Sequence, residues 1–192
     1  MEIRRIVAEE VPAVYALMED VVSRLPSKTL YAVDDEAYFY THVEELGGIY
    51  GAFQDGRLVA YSVLSFPGNR NWNLGSEFGV PQEELVKVAV LDGTIVHESA
   101  RGLGLQRLFS RIREQRAREK GMLYLYATVH PDNAPSIRNL EEAGLTVQFT
   151  RPMYGGVMRQ CYSKRLEPLE AGTELSLDME LYSRRVAIKP GE

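Results

Sequence analysis

The apolar positions of this 192-residue chain change period along its length, and each change predicts an element. Residues 1–7 read as a short strand. Ala8-Glu9-Glu10 then opens a helix carried by Val11, Val14, Tyr15, Leu17 and Met18. Pro12 suits its first turn, where a missing N–H costs nothing, and Pro26 closes the segment. Asp34-Asp35-Glu36 favours a second helix start, residues 38–46 continue it, and Gly47-Gly48 breaks it. Apolar runs at 49–53 and 58–66 flank Asp55-Gly56, which predicts a hairpin. Residues 67–81 are rich in Gly, Asn and Pro, hold the single tryptophan, Trp72, and predict a long excursion over the sheet.

The second half is more regular. Residues 86–96 are mostly apolar, as in a buried strand. The clearest helix spans 103–120, with Leu105, Leu108, Phe109 and Ile112 at i, i+3, i+4 and i+7 and Gly121 ending it. A strand at 122–129 and a short helix at 133–142, stopped at Gly144, follow. Strands at 145–150 and 158–166 are joined through Met153-Tyr154-Gly155-Gly156. The order β-α-α-β-β-β-α-β-α-β-β implies one α/β domain over 1–166 with a mixed sheet. Residues 167–192 form an extension: a tail, an extra strand at 184–188, or a partner-binding arm.

Composition narrows the class. Apolar residues make up 45% and charged residues 26%, enough core for an independent domain without disulfide or metal. The net charge, 22 − 27 = −5, argues against a nucleic-acid partner. One cysteine and three histidines are a poor metal set, and Cys161, among alternating apolar neighbours, reads as core. The start lacks a signal-peptide pattern and no apolar run reaches membrane-spanning length. The expectation is a soluble, cytoplasmic protein with no membrane partner.

The chemistry concentrates in Thr94-Ile95-Val96-His97-Glu98-Ser99-Ala100-Arg101-Gly102-Leu103-Gly104-Leu105-Gln106. A buried strand ends there, and a glycine pair opens a long helix. The first helical turn carries unpaired N–H groups and about +0.5 of a charge. Glycines let a phosphate approach those groups, and Arg101 adds a cation of matching geometry. The pattern points to a pyrophosphate site. It is not a Walker loop, because no Gly-Lys-Ser/Thr exists. A dinucleotide fingerprint fails too: Arg107 stands at its third small position, and Tyr126-Ala127-Thr128 stands where an acid is wanted.

A coenzyme A site remains, and here the chain resembles the GCN5-related N-acetyltransferase (GNAT) superfamily. Arg101-Gly102-Leu103-Gly104-Leu105-Gln106 matches its Arg/Gln-x-x-Gly-x-Gly/Ala signature, except that Gln106 replaces the last small residue. A second match runs from Val129-His130-Pro131-Asp132-Asn133 through Ser136 to Leu140 and Gly144. The resemblance covers roughly 1–166. It implies a single α/β domain whose central mixed, mostly antiparallel sheet splays around a CoA cleft, with helices on both faces.

It also implies acetyl-CoA as acyl donor, and direct transfer to the primary amine of a small acceptor. The implied cofactor contacts are Thr94, Ile95, Val96, Arg101, Gly102, Leu103, Gly104, Leu105, Gln106, Arg107, Asn133 and Ser136. Pantetheine would pair along Ile95 and Val96, a backbone N–H near a bulge there would meet the oxyanion, and Arg107 would meet the 3′-phosphate. The family's usual acid, a tyrosine, aligns with Leu140, so Tyr154 is the substitute acid or else a packing residue. Asp92 is either the base or a bulge former beside Gly93. A non-catalytic acyl-CoA sensor on the same fold is the alternative. A homodimer is plausible within the family.

Other groups read more plainly. His97 and Glu98 are turn residues, His130 caps the turn before Pro131, and His42 lies on a helix surface. Arg107, Arg111, Arg113, Arg116, Arg118 and Lys120 make a solvated basic face on the long helix. Acids at 34–36, 44–45, 77 and 83–84, with Tyr31, Tyr38, Phe39, Tyr40 and Trp72, fall on the acceptor side and favour a cationic amine.

Overall fold

The computed structural model describes residues 1–168, so the strand expected at 184–188 lies outside the described residues. Seven strands form one open sheet in the order β1-β2-β3-β4-β5-β7-β6. They are β1 (Glu2–Arg5), β2 (Gly47–Gln54), β3 (Arg57–Ser65), β4 (Val88–Val96), β5 (Tyr124–Val129), β6 (Thr146–Met153) and β7 (Val157–Arg165). Four helices connect them: α1 (Val11–Ser23), α2 (Glu36–Thr41), α3 (Leu105–Glu119) and α4 (Ala134–Glu142). The predicted order holds throughout.

Alternation along the strands divides two layers of side chains. On β3, Ala60 and Leu64 join Leu105, Leu108, Phe109 and Ile112 of α3 and Leu140 of α4 on one face. Tyr61 and Val63 join Val11, Val14, Met18 and Phe39 of α1 and α2 on the other. The 67–87 excursion covers the rest of that second face, where Val80 and Leu85 pack on Val88, Val90, Tyr126 and Cys161. A mixed sheet buried on both sides explains why residues 86–96 read as a continuous apolar run.

Three local differences have physical reasons. Gly47 and Gly48 begin β2 rather than only ending a helix, because a Cβ on Gly47 would lie 1.8 Å from the Leu64 carbonyl oxygen. The helix expected over 38–46 is α-helical only to Thr41 and widens into a π turn over His42–Leu46. Lastly, the bulge lies at Asp92-Gly93, which agrees with the bulge-forming alternative for Asp92, and not at Ile95 and Val96. Leu64 pairs with Leu91 and Ser62 with Thr94, so Val63 alone faces two residues of β4.

Every neighbouring strand pair is antiparallel except β4 and β5, which pair in parallel only over Val88–Tyr124, Ala89–Leu125 and Val90–Tyr126. Beyond Val90 and Tyr126 the two strands separate. This split in the middle of the sheet, between helices α3 and α4, positions the site.

Candidate functional site

The split opens a cavity of about 1140 Å³, lined by Leu91, Asp92, Gly93 and Thr94 of β4 and by Tyr126, Ala127, Thr128 and Val129 of β5. On its β3 side, β4 stays paired (Ala60–Val96, Tyr61–Ile95, Ser62–Thr94), so the edge facing β5 is the one left without a strand. Such an edge can accept an extended amide chain. Thr94 lines the cavity, whereas Ile95, buried on the α1 face, and Val96, packed on the α3 face, do not.

The glycine turn leads into Gln106, which lines the cavity, while residues 101–105 do not. Gly102 and Gly104 have φ of +78° and +73°, which L side chains rarely adopt, and a Cβ on either would meet nothing within 4 Å. Gly104 is the N-cap of α3 and makes no side-chain cap. The N–H groups of the first turn therefore face open space, and the helix dipole adds positive potential there. Leu105 turns into the core while Arg101 and Leu103 are exposed.

Across the split, Asn133 caps α4 by accepting from the Ser136 backbone N–H at 3.3 Å, and both side chains line the cavity. Gln106, the departure from the glycine signature, has its side-chain oxygen bonded by the Asn139 amide. It thus ties α3 to α4 over the cavity and keeps its own amide N–H groups available. Leu140 also lines the wall, so the position expected to lack an acid presents an apolar surface.

Deeper in, the bulge organises a polar cluster. Asp92 accepts from Ser65 Oγ and from the Gly93 N–H, each at 3.1 Å. Arg113, only 4% exposed, donates from Nη1 to the Val63 and Asp92 carbonyls at 3.0 and 2.9 Å and from Nε to the Phe109 carbonyl. It holds the bulge shut from behind, and burial lowers its pKa to about 10. Asp34 lines the same cavity; burial, then the charges of Asp92 and Asp35, raise its carboxyl to about 7. Tyr31 meets Tyr61 hydroxyl to hydroxyl at 3.3 Å, and its oxygen would lie 2.3 Å from a Cβ on Gly93. Glycine at 93 is thus what lets Tyr31 close on the bulge.

His42 is a correction to the sequence reading: it is 3% exposed and lines the cavity. Its Nδ1 donates to the Tyr38 carbonyl at 2.7 Å, since a carbonyl can only accept. Burial lowers its pKa, so the ring is neutral and Nε2 carries a free lone pair with no partner in the structure. At the far end, Tyr154 adopts φ +49° and bonds Thr128 Oγ1 at 3.0 Å, leaning across the cavity from the β6–β7 turn.

A family model described as the acetyltransferase (GNAT) family matches residues 14–145. The chain belongs to the GNAT family. A search of curated proteins finds no match in sequence. Among solved structures, a ribosomal-protein-alanine N-acetyltransferase from Brucella melitensis is similar in fold: TM-score 0.64, 20% identity, 86% of this chain and 100% of that one. An N-acetyltransferase from Staphylococcus aureus Mu50 gives 0.66 at 18% identity, covering 86% and 98%. A Salmonella typhimurium acetyltransferase structure with its cofactor acetyl-CoA gives 0.64 at 18%, covering 90% and 98%.

The remaining expected site residues of this GNAT chain are distributed as follows. Arg107 pairs with Glu142 at 3.3 Å on the surface, outside the cavity lining. His97 caps its turn by accepting from the Ser99 N–H, and Glu98 pairs with Arg24. His130 caps its turn through the Asp132 N–H. Cys161 is fully buried and its thiol is pushed up to about 12 by burial. Arg113 departs from the solvated face assigned to it. The signal was present: it stands four residues after Phe109, on the buried stripe of α3. Among the described residues no helix is long and apolar enough to cross a membrane.

Proposed function

We infer that the protein is an acetyl-CoA-dependent N-acetyltransferase that moves the acetyl group directly to the primary amine of a small acceptor. The observation that carries this reading is a cavity at the parted strands, lined by Asp92 and Asp34 and by Gln106 in the first turn of the glycine-opened helix. Family membership and the acetyl-CoA bound to a relative of the same fold support it.

The residues fit the cosubstrate. Open φ-positive glycines and the N–H groups of Leu105, Gln106 and Arg107 suit the pyrophosphate, with Arg101 flanking. The free edge of Thr94, Ile95 and Val96 suits the pantetheine amides, and Asn133 and Ser136 face them from α4. Acetyl-CoA supplies an activated acyl group as a thioester. The acceptor arrives as an ammonium of pKa ~10, so one proton must leave before its nitrogen can attack. Asp92, held at the bulge by Ser65 and Gly93, takes that proton, and Asp34, poised near neutrality in the same cavity, is a second acceptor to which it can pass. The N–C bond forms as the C–S bond breaks. The thiolate keeps one of the amine's protons, and one proton is released overall. A thiolate of pKa ~8.5 leaves without a dedicated acid, which tolerates Leu140, and the Tyr154 hydroxyl is the proton donor nearest to that role.

Leu140 is also the observation that favours a second reading, a non-catalytic acyl-CoA sensor. Calorimetric titration with acetyl-CoA, followed by a thiol-detected CoA-release assay over a broad amine panel, separates the two. Binding with amine-dependent release supports the enzyme. Binding without release from any amine replaces it by the sensor, and absence of binding by folded protein overturns both.

A further inference from the structure

Among the described residues, Arg159 is a buried cation without a paired carboxylate. It is 3% exposed and lines the cavity from β7. Its Nη2 donates to the Thr29 carbonyl at 2.9 Å and its Nη1 to the Leu30 carbonyl at 3.4 Å, while Nε is buried with no partner. Its guanidinium stands 5.7 Å from the Tyr154 ring centre. Among the described residues no carboxylate pairs with it, and burial lowers its pKa with only Tyr154 acting against that. Arg151, by contrast, has Glu77 at 2.7 Å, and the charge of Asp92 acts against the burial of Arg113.

Among the neighbouring cations Lys28 adds charge, while Arg151 is offset by Glu77, which also lines the cavity. Arg151 and Arg159 are direct cross-strand partners, a like-charge pairing that ordinarily destabilises a sheet. Lys28, beside the Thr29 carbonyl that Arg159 grips, also lines the cavity. A role confined to pinning the 28–30 turn would need only a neutral amide donor. Carbonyl contacts satisfy N–H groups but do not offset the desolvation of a full charge. In a chain of net charge −5, this is a built pole of opposite sign.

The opposite pole is at Asp92 and Asp34, and Tyr154 lies within electrostatic reach of both acids and of Arg159. We propose that Arg159, with Lys28, is an anion subsite for a carboxylate on the acceptor, which makes the acceptor a zwitterion of the amino-acid type: its ammonium faces Asp92 and Asp34 while its carboxylate meets the Arg159 guanidinium and Lys28 from the cavity. Guanidinium suits a carboxylate through paired, charge-assisted hydrogen bonds. The proposal rests on the N-acetyltransferase reading, but its test does not require turnover.

The test uses the full chain with CoA present and product-like probes in matched pairs: N-acetyl-L-amino acids against the corresponding acetamides lacking the carboxylate. Binding is read by saturation-transfer NMR and calorimetry. The expected result is that, in at least one pair, the carboxylate member binds roughly tenfold or more tightly. Arg159→Gln removes that difference, Arg159→Lys keeps part of it, and the acetyl-CoA affinity measured on the same samples stays within about threefold, because the glycine turn is untouched. Absence of preference in every wild-type pair overturns the proposal whether or not the variants fold. So does a preference that survives in folded Arg159→Gln. Loss of acetyl-CoA binding by wild type would instead strike the transferase reading and leave the carboxylate comparison to be judged separately.

Discussion

Replacing Gly104 by alanine and by aspartate separates backbone strain from charge at the helix start. At φ +73° either side chain adopts the left-handed region, a strain of ~1–2 kcal/mol, yet neither meets a protein atom within 4 Å of its Cβ. For a domain of this size that is a fall in Tm of roughly 2–8 °C. Aspartate at an N-cap gains from the helix dipole by about 0.5 kcal/mol, so Gly104→Asp is at least as stable as Gly104→Ala. Binding goes the other way. A carboxylate ~5 Å from one phosphate charge, at an effective dielectric of about 20, opposes it by ~3 kcal/mol, over 100-fold in Kd. Alanine adds no charge and weakens binding by about tenfold at most. Calorimetric titration of both variants with acetyl-CoA, alongside their melting curves, measures the two effects independently. Equal affinities for acetyl-CoA in the two folded variants would refute the placement of the pyrophosphate at this turn.

Three further outcomes follow from the cavity and core. Asp34 holds a proton up to about pH 7 in the folded state but releases it near pH 4 when unfolded, so stability falls as pH rises through that window. Asp34→Asn removes this slope and, allowing for partial exposure, gains ~2 kcal/mol at pH 8 relative to pH 4 by chemical denaturation; an unchanged slope rules out the burial argument. Gly93→Ala drives Tyr31 off the bulge and breaks its contact with Tyr61, lowering stability by ~1–3 kcal/mol; an unaltered melting curve would show that the fit is loose. Finally, Cys161 reacts with a thiol reagent only upon unfolding, because it is fully buried and its thiol is raised to about 12; rapid labelling of native protein would contradict its place in the core.

Element order was legible because the signals are local. The i, i+3, i+4 stripe of α3, the Asp55-Gly56 hairpin and the glycine stops act within a few residues of themselves, and so does the φ-positive turn at Gly102 and Gly104. The glycine-opened start of α3 was legible for the same reason, since turn chemistry is written into contiguous sequence. Long-range facts were not local in this sense. His42 looks like a helix-surface residue until packing turns it inward, and although the α3 stripe marks Arg113 and the strand chemistry offers a bulge at Asp92-Gly93, only the packed chain brings the two together.

What the sequence alone determined is the family, the seven-stranded α/β order and the glycine-opened helix start, because periodicity and turn chemistry are short-range properties. Only the tertiary structure decided where β4 and β5 part, since parallel pairing stops after Val90 and Tyr126 by a choice made between segments more than thirty residues apart. It alone set Asp34 against Asp92 and left Arg159 buried without a carboxylate, 129 residues from the Leu30 carbonyl it touches. A charge's partner and its dielectric surroundings belong to the packed chain, and no window of sequence contains them.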